Sequence, residues 1–189
     1  MVKSILLVGV GGQGTILASK LLTQGLMEAG YDVKMSEIHG MSQRGGSVSS
    51  QVRYGEEVYS PVIEKGGANI LVSFEMMEAL RWLDYLKVDG KTVVNNYTIK
   101  PMPVTMGKCA YPEDILEELK SKVPTTVVNA GVEAIRLGNS KVMNIILLGS
   151  IIKMMNLEFI DWGKIVSDNV RSALIDLNLT ALEIGKELV

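Results

Sequence analysis

The sequence predicts an α/β protein with a Rossmann-like, three-layer sandwich: a mostly parallel sheet, a β-hairpin insertion and a helical carboxyl-terminal end. Residues 5–8 are a continuous apolar run that Gly9 ends, which is typical of a strand buried on both faces of a parallel sheet. Apolar residues then recur at helical spacing over 12–29, and no strand pattern occurs after residue 139. A chain of 189 residues can bury a sizeable core, so we expect residues 1–189 to form a single domain.

The amino-terminal half changes from a helical to an extended pattern. Residues 31–35 are predicted to form a second strand, which completes a strand–helix–strand unit with a right-handed crossover. Residues 47–54 alternate in the period of a half-exposed strand and lead through the turn Gly55-Glu56 to Val58-Tyr59. This pattern predicts a β-hairpin inserted after the first unit.

The remaining elements follow from apolar periodicity and from the positions of proline and of capping residues. Further strands are predicted at 70–74, 92–95, 125–128 and, as a short edge strand, near 104–106. Helices are predicted over 75–86, from Pro112 to Lys120, from a cap at Asn139 or Ser140 to about Met154, and from a cap at Asp161. Apolar residues that step by three or four between Val166 and Ile184 predict one amphipathic carboxyl-terminal helix.

Composition excludes several classes of protein. A net charge of −2 provides no basic field for nucleic acid, and the longest apolar stretch, 142–155, is shorter than the ~20 residues that span a bilayer. We therefore expect a cytoplasmic protein with no nucleic-acid or membrane partner. The single cysteine can form neither an internal disulfide nor a four-thiolate iron–sulfur site. The mean hydropathy of +0.23 is slightly high, which suggests apolar surface for a partner or for a homodimer of the isolated chain.

The sharpest motif is the glycine turn Gly9-Val10-Gly11-Gly12-Gln13-Gly14, which satisfies G-x-G-x-x-G between a strand and a helix. Such a turn can bind a dinucleotide phosphate at the helix N-terminus, or it can simply pack the helix against the sheet. The acidic residue that would hold a ribose has one candidate, Glu37, about two positions late. The motif alone leaves both interpretations open.

A second polar turn lies where a dinucleotide enzyme would recognise its ribose. Ser42, Gln43 and Arg44 are followed by Gly45 and Gly46, so side-chain donors and a permanent cation stand beside a flexible backbone. This combination suits a phosphate or a partner's carboxylate. The alternative is a solvated turn that leads into the hairpin.

Other chemically capable residues have structural interpretations. Glu37 is the one potential metal ligand near His39, and two ligands are too few for a zinc site. We therefore expect His39 to be a structural residue, and we expect no metal site. Cys109 has no histidine beside it, and we expect it to be non-catalytic. Glu75 and Glu78 stand one turn apart near Arg81, which predicts a solvated charge pattern.

Together, the segments 9–14 and 37–55 resemble the gamma-type domain of 2-oxoacid:ferredoxin oxidoreductases, and the second is similar in particular to the beta-subunit group of the indolepyruvate enzymes. The resemblance continues through Val58-Tyr59-Ser60-Pro61, through residues 68–81, through Val93-Val94-Asn95 and through residues 144–149. It therefore covers nearly the whole chain.

The resemblance implies a cluster-free subunit of an oxidoreductase, with no catalytic residue and no cofactor of its own. A large alpha subunit would carry thiamine diphosphate and [4Fe–4S] clusters. The complex would oxidatively decarboxylate a 2-oxoacid, transfer the acyl group to coenzyme A and reduce ferredoxin. Indolepyruvate or another aryl pyruvate is the implied substrate, and the pyruvate, 2-oxoglutarate and branched-chain 2-oxoacid enzymes are alternatives.

The resemblance also implies a place for this domain beside the active site of the complex. The candidates for an anion-binding, coenzyme A-proximal or partner-contacting surface are Gly9, Gly11, Gly12, Gly14, Ser42, Gln43, Arg44, Gly45 and Gly46. A stand-alone NAD(P)- or nucleotide-binding protein is the alternative of another class. The sequence lacks the Tyr-x-x-x-Lys pair of short-chain reductases, which disfavours that alternative.

Overall fold

A computed structural model describes residues 1–40 and 45–189. Within those residues, six strands form one sheet in the order β2-β3-β1-β4-β5-β6. The strands are β1 (Lys3–Val10), β2 (Asp32–His39), β3 (Ser47–Gly55), β4 (Ala68–Ser73), β5 (Leu86–Asn95) and β6 (Thr125–Val128). The helices are α1 (Thr15–Glu28), α2 (Met76–Arg81), α3 (Met102–Thr105), α4 (Ile115–Lys122), α5 (Ala130–Arg136), α6 (Met143–Met154), α7 (Trp162–Asn169) and α8 (Ile175–Glu187).

The sheet is mostly parallel, as predicted, and one strand is reversed. Strands β1, β4, β5 and β6 pair in parallel, whereas β3 is antiparallel to both of its neighbours, β1 and β2. The hairpin is therefore β2–β3, with Asp32 opposite Gly55 and His39 opposite Val48. The prediction that Val58-Tyr59 forms the second strand of the hairpin was wrong, because β3 finds its partners on both sides inside the sheet.

Helices cover both faces of the sheet and give the predicted three layers. On one face, α1, α6, α7 and α8 pack over Ile5 and Leu7 of β1 and Val72 of β4. On the other face, Leu6 and Leu71 pack beneath the β4–β5 connection, and α2 and α4 pack over Val94. Strand β1 is apolar throughout because it is buried on both sides.

Several element boundaries differ from the predictions, among them the following three. The stretch predicted as an edge strand near 104–106 belongs to α3, because Pro101 and Pro103 fit the first turn of a helix, where no backbone donor is needed. The helix predicted over 75–86 ends at Arg81, and Leu86 already pairs with Ala68 in the sheet. The predicted carboxyl-terminal helix breaks at Val170, where the backbone is extended between α7 and α8.

Helix α6 is buried on nearly every side, so its predicted role as a core helix is confirmed. Asn139 caps the 3₁₀ turn that precedes it, with Oδ1 accepting from Lys141 N at 3.0 Å, and Asp161 caps α7 as predicted. In the described part of the chain, no helix is long and apolar enough to cross a bilayer.

Candidate functional site

The glycine turn 9–14 lies at the carboxyl end of β1 and requires glycine for two different reasons. Strand β1 runs two residues further than predicted, to Val10, and a Cβ on Gly9 would lie 2.9 Å from Cβ of Phe74. Gly12 and Gly14 have φ of +103° and +83°, in the left-handed region that favours glycine. Gly14 is thus the N-cap of α1, which begins at Thr15 rather than at Gly12.

The side chain of Gln13 fixes the shape of this turn. Its Oε1 accepts from Val10 N at 2.8 Å, and its Nε2 donates to Phe74 O at 2.9 Å. The same carbonyl accepts from Asn95 Nδ2 at 3.2 Å. The ends of β1, β4 and β5 are therefore joined through two amide side chains. Gln13 occupies a position that the G-x-G-x-x-G pattern leaves variable, so the pattern did not predict this role.

The structure brings the two glycine segments together. Gly11 N donates to Gly46 O at 2.9 Å, and Gly45 N donates to Gly11 O at 3.5 Å, which continues the β1–β3 ladder beyond Val10 and Ser47. The predicted Ser42, Gln43 and Arg44 lie outside the described residues. Gly45 and Gly46, which follow them in sequence, are paired with the glycine turn.

The beginning of β3 is held by α2. Ser47 Oγ donates to Glu78 Oε2 and accepts from Trp82 Nε1, while Arg81 Nε donates to Glu78 Oε1 at 3.0 Å. The i,i+3 pair of Glu78 with Arg81 agrees with the sequence pattern. The prediction that Glu78 is solvated was wrong, because only 3% of the residue is exposed. Its burial depends on Ser47, which is distant in sequence.

Glu75 is also buried, contrary to prediction, and it joins three segments. Its Oε2 accepts from Glu78 N at 3.0 Å and caps α2, while its Oε1 accepts from Ile99 N at 3.2 Å and from Tyr111 Oη at 2.5 Å. Burial and the hydrogen bond to this carboxylate raise the pKa of Tyr111 above its ordinary value. The phenol therefore remains a hydrogen-bond donor throughout the physiological pH range.

A groove of about 810 Å³ opens beside the glycine turn, and the residues of 11–14 line one wall. Lys141 and Arg171 are the cationic residues among its described lining, which contains no Asp or Glu. Asn144 of α6 donates from Nδ2 to Gly14 O at 3.3 Å and closes the base. Sequence reasoning missed these three residues, although Asn144 was recognisable as a polar interruption of an apolar run.

The candidate groove is cationic, and helices α1 and α6 begin beside it. No side chain caps the first turn of α1, and neither helix carries an acidic residue there, while Asn139 caps the 3₁₀ turn that leads into α6. Backbone N–H groups at such ends favour an anion. Together with Lys141 and Arg171, they give the groove the electrostatic character of an anion-binding surface.

The geometry disfavours the dinucleotide interpretation. Glu37 lies on β2, which is separated from β1 by β3, so two strand spacings of roughly 5 Å each divide it from the glycine turn. Its carboxylate lies 3.3 Å from Ser19 Oγ of α1. Cys109 is exposed, and in the described residues no group of three or more His, Cys, Asp or Glu could hold a metal ion.

Comparison with known proteins identifies the family. The family model described as pyruvate ferredoxin/flavodoxin oxidoreductase matches residues 4–188. The chain belongs to this family. It is 36% identical to indolepyruvate oxidoreductase subunit IorB of Thermococcus kodakarensis, over 96% of this chain and 93% of that protein. It is 29% identical to 2-oxoglutarate synthase subunit KorC of Methanocaldococcus jannaschii, over 100% of this chain and 94% of that protein.

Solved structures with the same fold include subunits of oxidoreductases. Pyruvate oxidoreductase subunit PORC from Thermotoga maritima matches with a TM-score of 0.75 at 22% identity, over 98% of this chain and 96% of that chain. The 2-oxoglutarate:ferredoxin oxidoreductase from Magnetococcus marinus, with 2-oxoglutarate, coenzyme A and succinyl-CoA bound, matches with a TM-score of 0.76 at 19% identity. That match covers 99% of this chain and 31% of the longer one. The predicted fold class and family are thus confirmed.

Proposed function

We propose that this chain is the cluster-free subunit of a cytoplasmic 2-oxoacid:ferredoxin oxidoreductase of the indolepyruvate type. The complex decarboxylates indolepyruvate or another aryl pyruvate, releases CO₂, transfers the acyl group to coenzyme A and passes the electrons to ferredoxin. The observation that carries this proposal is the full-length match at 36% identity to indolepyruvate oxidoreductase subunits, compared with 29% for a 2-oxoglutarate relative.

The redox chemistry belongs to a large partner subunit in this proposal. Thiamine diphosphate bound there supplies the carbanion chemistry, and [4Fe–4S] clusters there supply the electron path. The composition of this chain supports that division, because a cluster requires about four thiolates and the sequence contains one cysteine. This chain contributes a binding surface rather than reacting groups.

We place the contribution of this chain at the groove and the paired glycine turns. Lys141, Arg171 and the first turns of α1 and α6 suit the phosphate groups of coenzyme A or a carboxylate of the partner. Gly9, Gly11, Gly12 and Gly14 belong to the glycine turn, and Gly45 and Gly46, which follow Ser42, Gln43 and Arg44 in sequence, are paired with Gly11. Arg44, a permanent cation in that sequence segment, is the candidate residue for a direct anion contact.

Anaerobic affinity purification of the tagged chain from its native cytoplasm tests the complex. We expect a large protein with iron–sulfur clusters and thiamine diphosphate to co-purify, and the eluate to reduce ferredoxin with coenzyme A and indolepyruvate. Faster turnover of pyruvate, 2-oxoglutarate or a branched-chain 2-oxoacid would reassign the substrate. A lone chain that binds NAD(P) would contradict the proposal.

Substitution of Arg44 tests the surface. In the purified complex, we expect Arg44→Ala to raise KM for coenzyme A or to weaken partner binding, because the guanidinium is removed from an anion contact. Lys141→Ala and Arg171→Ala test the groove in the same assay. The matched control is Arg136→Ala, whose exposed side chain pairs with Glu133 on α5. Unchanged KM and unchanged binding in all three variants would reject this surface.

A further inference from the structure

The connection between β3 and β4, here named the 56–64 loop, presents two large side chains to solvent. Tyr59 is 85% exposed and Val62 is 60% exposed, although Val58 and Ile63 beside them are buried. Single exposed apolar residues are common and imply nothing alone. The informative feature is how firmly the backbone around these two residues is held.

Side chains from two strands bind the backbone of the loop at four points. Arg53 Nη1 donates to Ser60 O at 3.0 Å and to Val62 O at 3.1 Å. Gln51 Oε1 accepts from Ile63 N at 2.5 Å, and Asp32 Oδ2 accepts from Val58 N at 2.8 Å. Hydrogen bonds to ionised groups are stronger than neutral ones. The positions of Tyr59 and Val62 are therefore fixed before any partner binds.

The hydrogen bonds that hold the loop are partly shielded from water. Gln51 is 3% exposed, and Arg53 is half-buried with its Nε buried. Shielded hydrogen bonds are electrostatically stronger than those in water, so they restrict the loop backbone. Rigidity of this kind lowers the entropy cost of binding, which is the usual benefit of a preorganised surface.

The loop carries a consistent charge. Glu56, Glu57 and Glu64 of the loop are exposed, and none of the three forms an ion pair within the described residues. Lys65, which follows the loop, is paired with Asp84 at 3.0 Å. The loop thus presents an aromatic and an aliphatic side chain together with these three carboxylates, here named its acidic border, and this combination is complementary to an apolar pocket bordered by Lys or Arg.

The position of the loop separates it from the groove. In the β1–β3 ladder, Lys3 is opposite Tyr54 and Val10 is opposite Ser47. The 56–64 loop therefore begins at the edge of the sheet where β1 starts, whereas the glycine turn lies at the edge where β1 ends. From the edge where β1 starts, the loop folds back over the face of the sheet opposite α1 and α6, where Ile63 packs with Leu6 and Val8.

We propose that the 56–64 loop is a preformed docking element that inserts Tyr59 and Val62 into a basic-rimmed apolar pocket of the large subunit. This docking role rests on the proposed function in one respect: it requires that the chain has a large partner subunit. Tyrosine in a desolvated pocket is a frequent source of binding energy, and the acidic border speeds association with a basic face. The loop thus joins the two subunits at a surface distinct from the groove.

Binding between this full chain and its separately purified large subunit tests the proposal. We expect Tyr59→Ala to weaken Kd by roughly tenfold or more, whereas Phe159→Ala, at another exposed aromatic residue, leaves Kd nearly unchanged. We expect Glu56→Lys/Glu57→Lys to lower the association rate constant. In the unchanged chain this constant should fall as NaCl is raised from about 50 mM to about 300 mM, and in the variant that fall should disappear. Glu113→Lys/Glu117→Lys is the charge-matched control away from the loop.

Three outcomes would overturn the docking role. In the first, both loop variants are folded by circular dichroism and bind the large subunit as tightly and as fast as the unchanged chain does. In the second, Tyr59 proves necessary for a homodimer and not for the large subunit. In the third, the unchanged chain binds no large subunit at all, which would overturn the proposed function together with the docking role.

Discussion

The side chain of Gln13 donates to the carbonyl oxygen of Phe74 at 2.9 Å and thereby ties the glycine turn to the end of β4. Its Oε1 satisfies Val10 N as well. We expect Gln13→Leu to lower the free energy of unfolding by about 1–3 kcal/mol, because a partly buried donor loses its acceptor. Urea denaturation of the isolated chain measures this difference.

Gln24→Leu is the control for that substitution. Gln24 lies on α1, where its hydrogen bonds to Glu28 and Asn169 are exposed, so we expect a change within roughly 0.5 kcal/mol. Equal stability of Gln13→Leu and the unchanged protein would show that the turn does not depend on this side chain.

The crossing of α6 and α8 depends on two glycines that face each other. A Cβ on Gly185 would lie 1.9 Å from Ile146 O, and a Cβ on Gly149 would lie 2.2 Å from Leu182 O. We expect Gly185→Ala to lower the free energy of unfolding by about 3 kcal/mol, since the helices must move apart. Thermal and urea denaturation measure the effect.

Gly163→Ala is the matched control on α7, where the nearest atom to an added Cβ is 3.5 Å away. There we expect no loss, and up to about 1 kcal/mol of stabilisation from the better helix propensity of alanine. Similar losses in Gly163→Ala and Gly185→Ala would contradict the close helix contact.

The buried carboxylate of Glu75 accepts three hydrogen bonds, one of them from Tyr111. We expect Glu75→Gln to reduce the free energy of unfolding by about 1–3 kcal/mol, because the new amide group places a donor against existing donors. A double-mutant cycle with Tyr111→Phe should give a coupling of at least ~0.5 kcal/mol. Additive effects would argue against the pair, and Glu113→Gln serves as the exposed control.

Alkaline pH is expected to destabilise the chain through Tyr54. Burial, together with Tyr31, raises the pKa of Tyr54 from 10.0 to about 12. The folded state then holds the phenolic proton more tightly than the unfolded state, so the full stability is present below pH 10 and is lost as the pH rises through about 12. Between pH 9 and pH 11 the loss from this group is roughly 1.4 kcal/mol.

Urea denaturation of Tyr54→Phe at both pH values tests this expectation. The variant should lose less stability than the unchanged protein by about that amount. Part of the loss should remain, because burial and Glu75 also raise the pKa of Tyr111. An identical pH dependence in the two proteins would refute the assignment to Tyr54.

Local patterns predicted the elements whose periodicity lies within one segment. Strand β6 occupies Thr125–Val128 as predicted, and α6 follows the cap at Asn139. The predictions were wrong where a distant partner decided the outcome. Leu86 continued the apolar spacing of α2, but its pairing with Ala68 makes it the first residue of β5. The spacing of apolar residues within one segment carries no information about a hydrogen bond to another strand.

The sequence by itself determined the fold class, the family and the glycine-rich turn before α1, because these depend on residue type and short spacing. Only the tertiary structure decided that β3 separates β2 from β1, that Glu75 and Glu78 are buried, and that Gly11 pairs with Gly46. The physical reason is distance along the chain. Asn144 reaches Gly14 across 130 residues, and such partners meet only when the sheet and its two helical layers have formed.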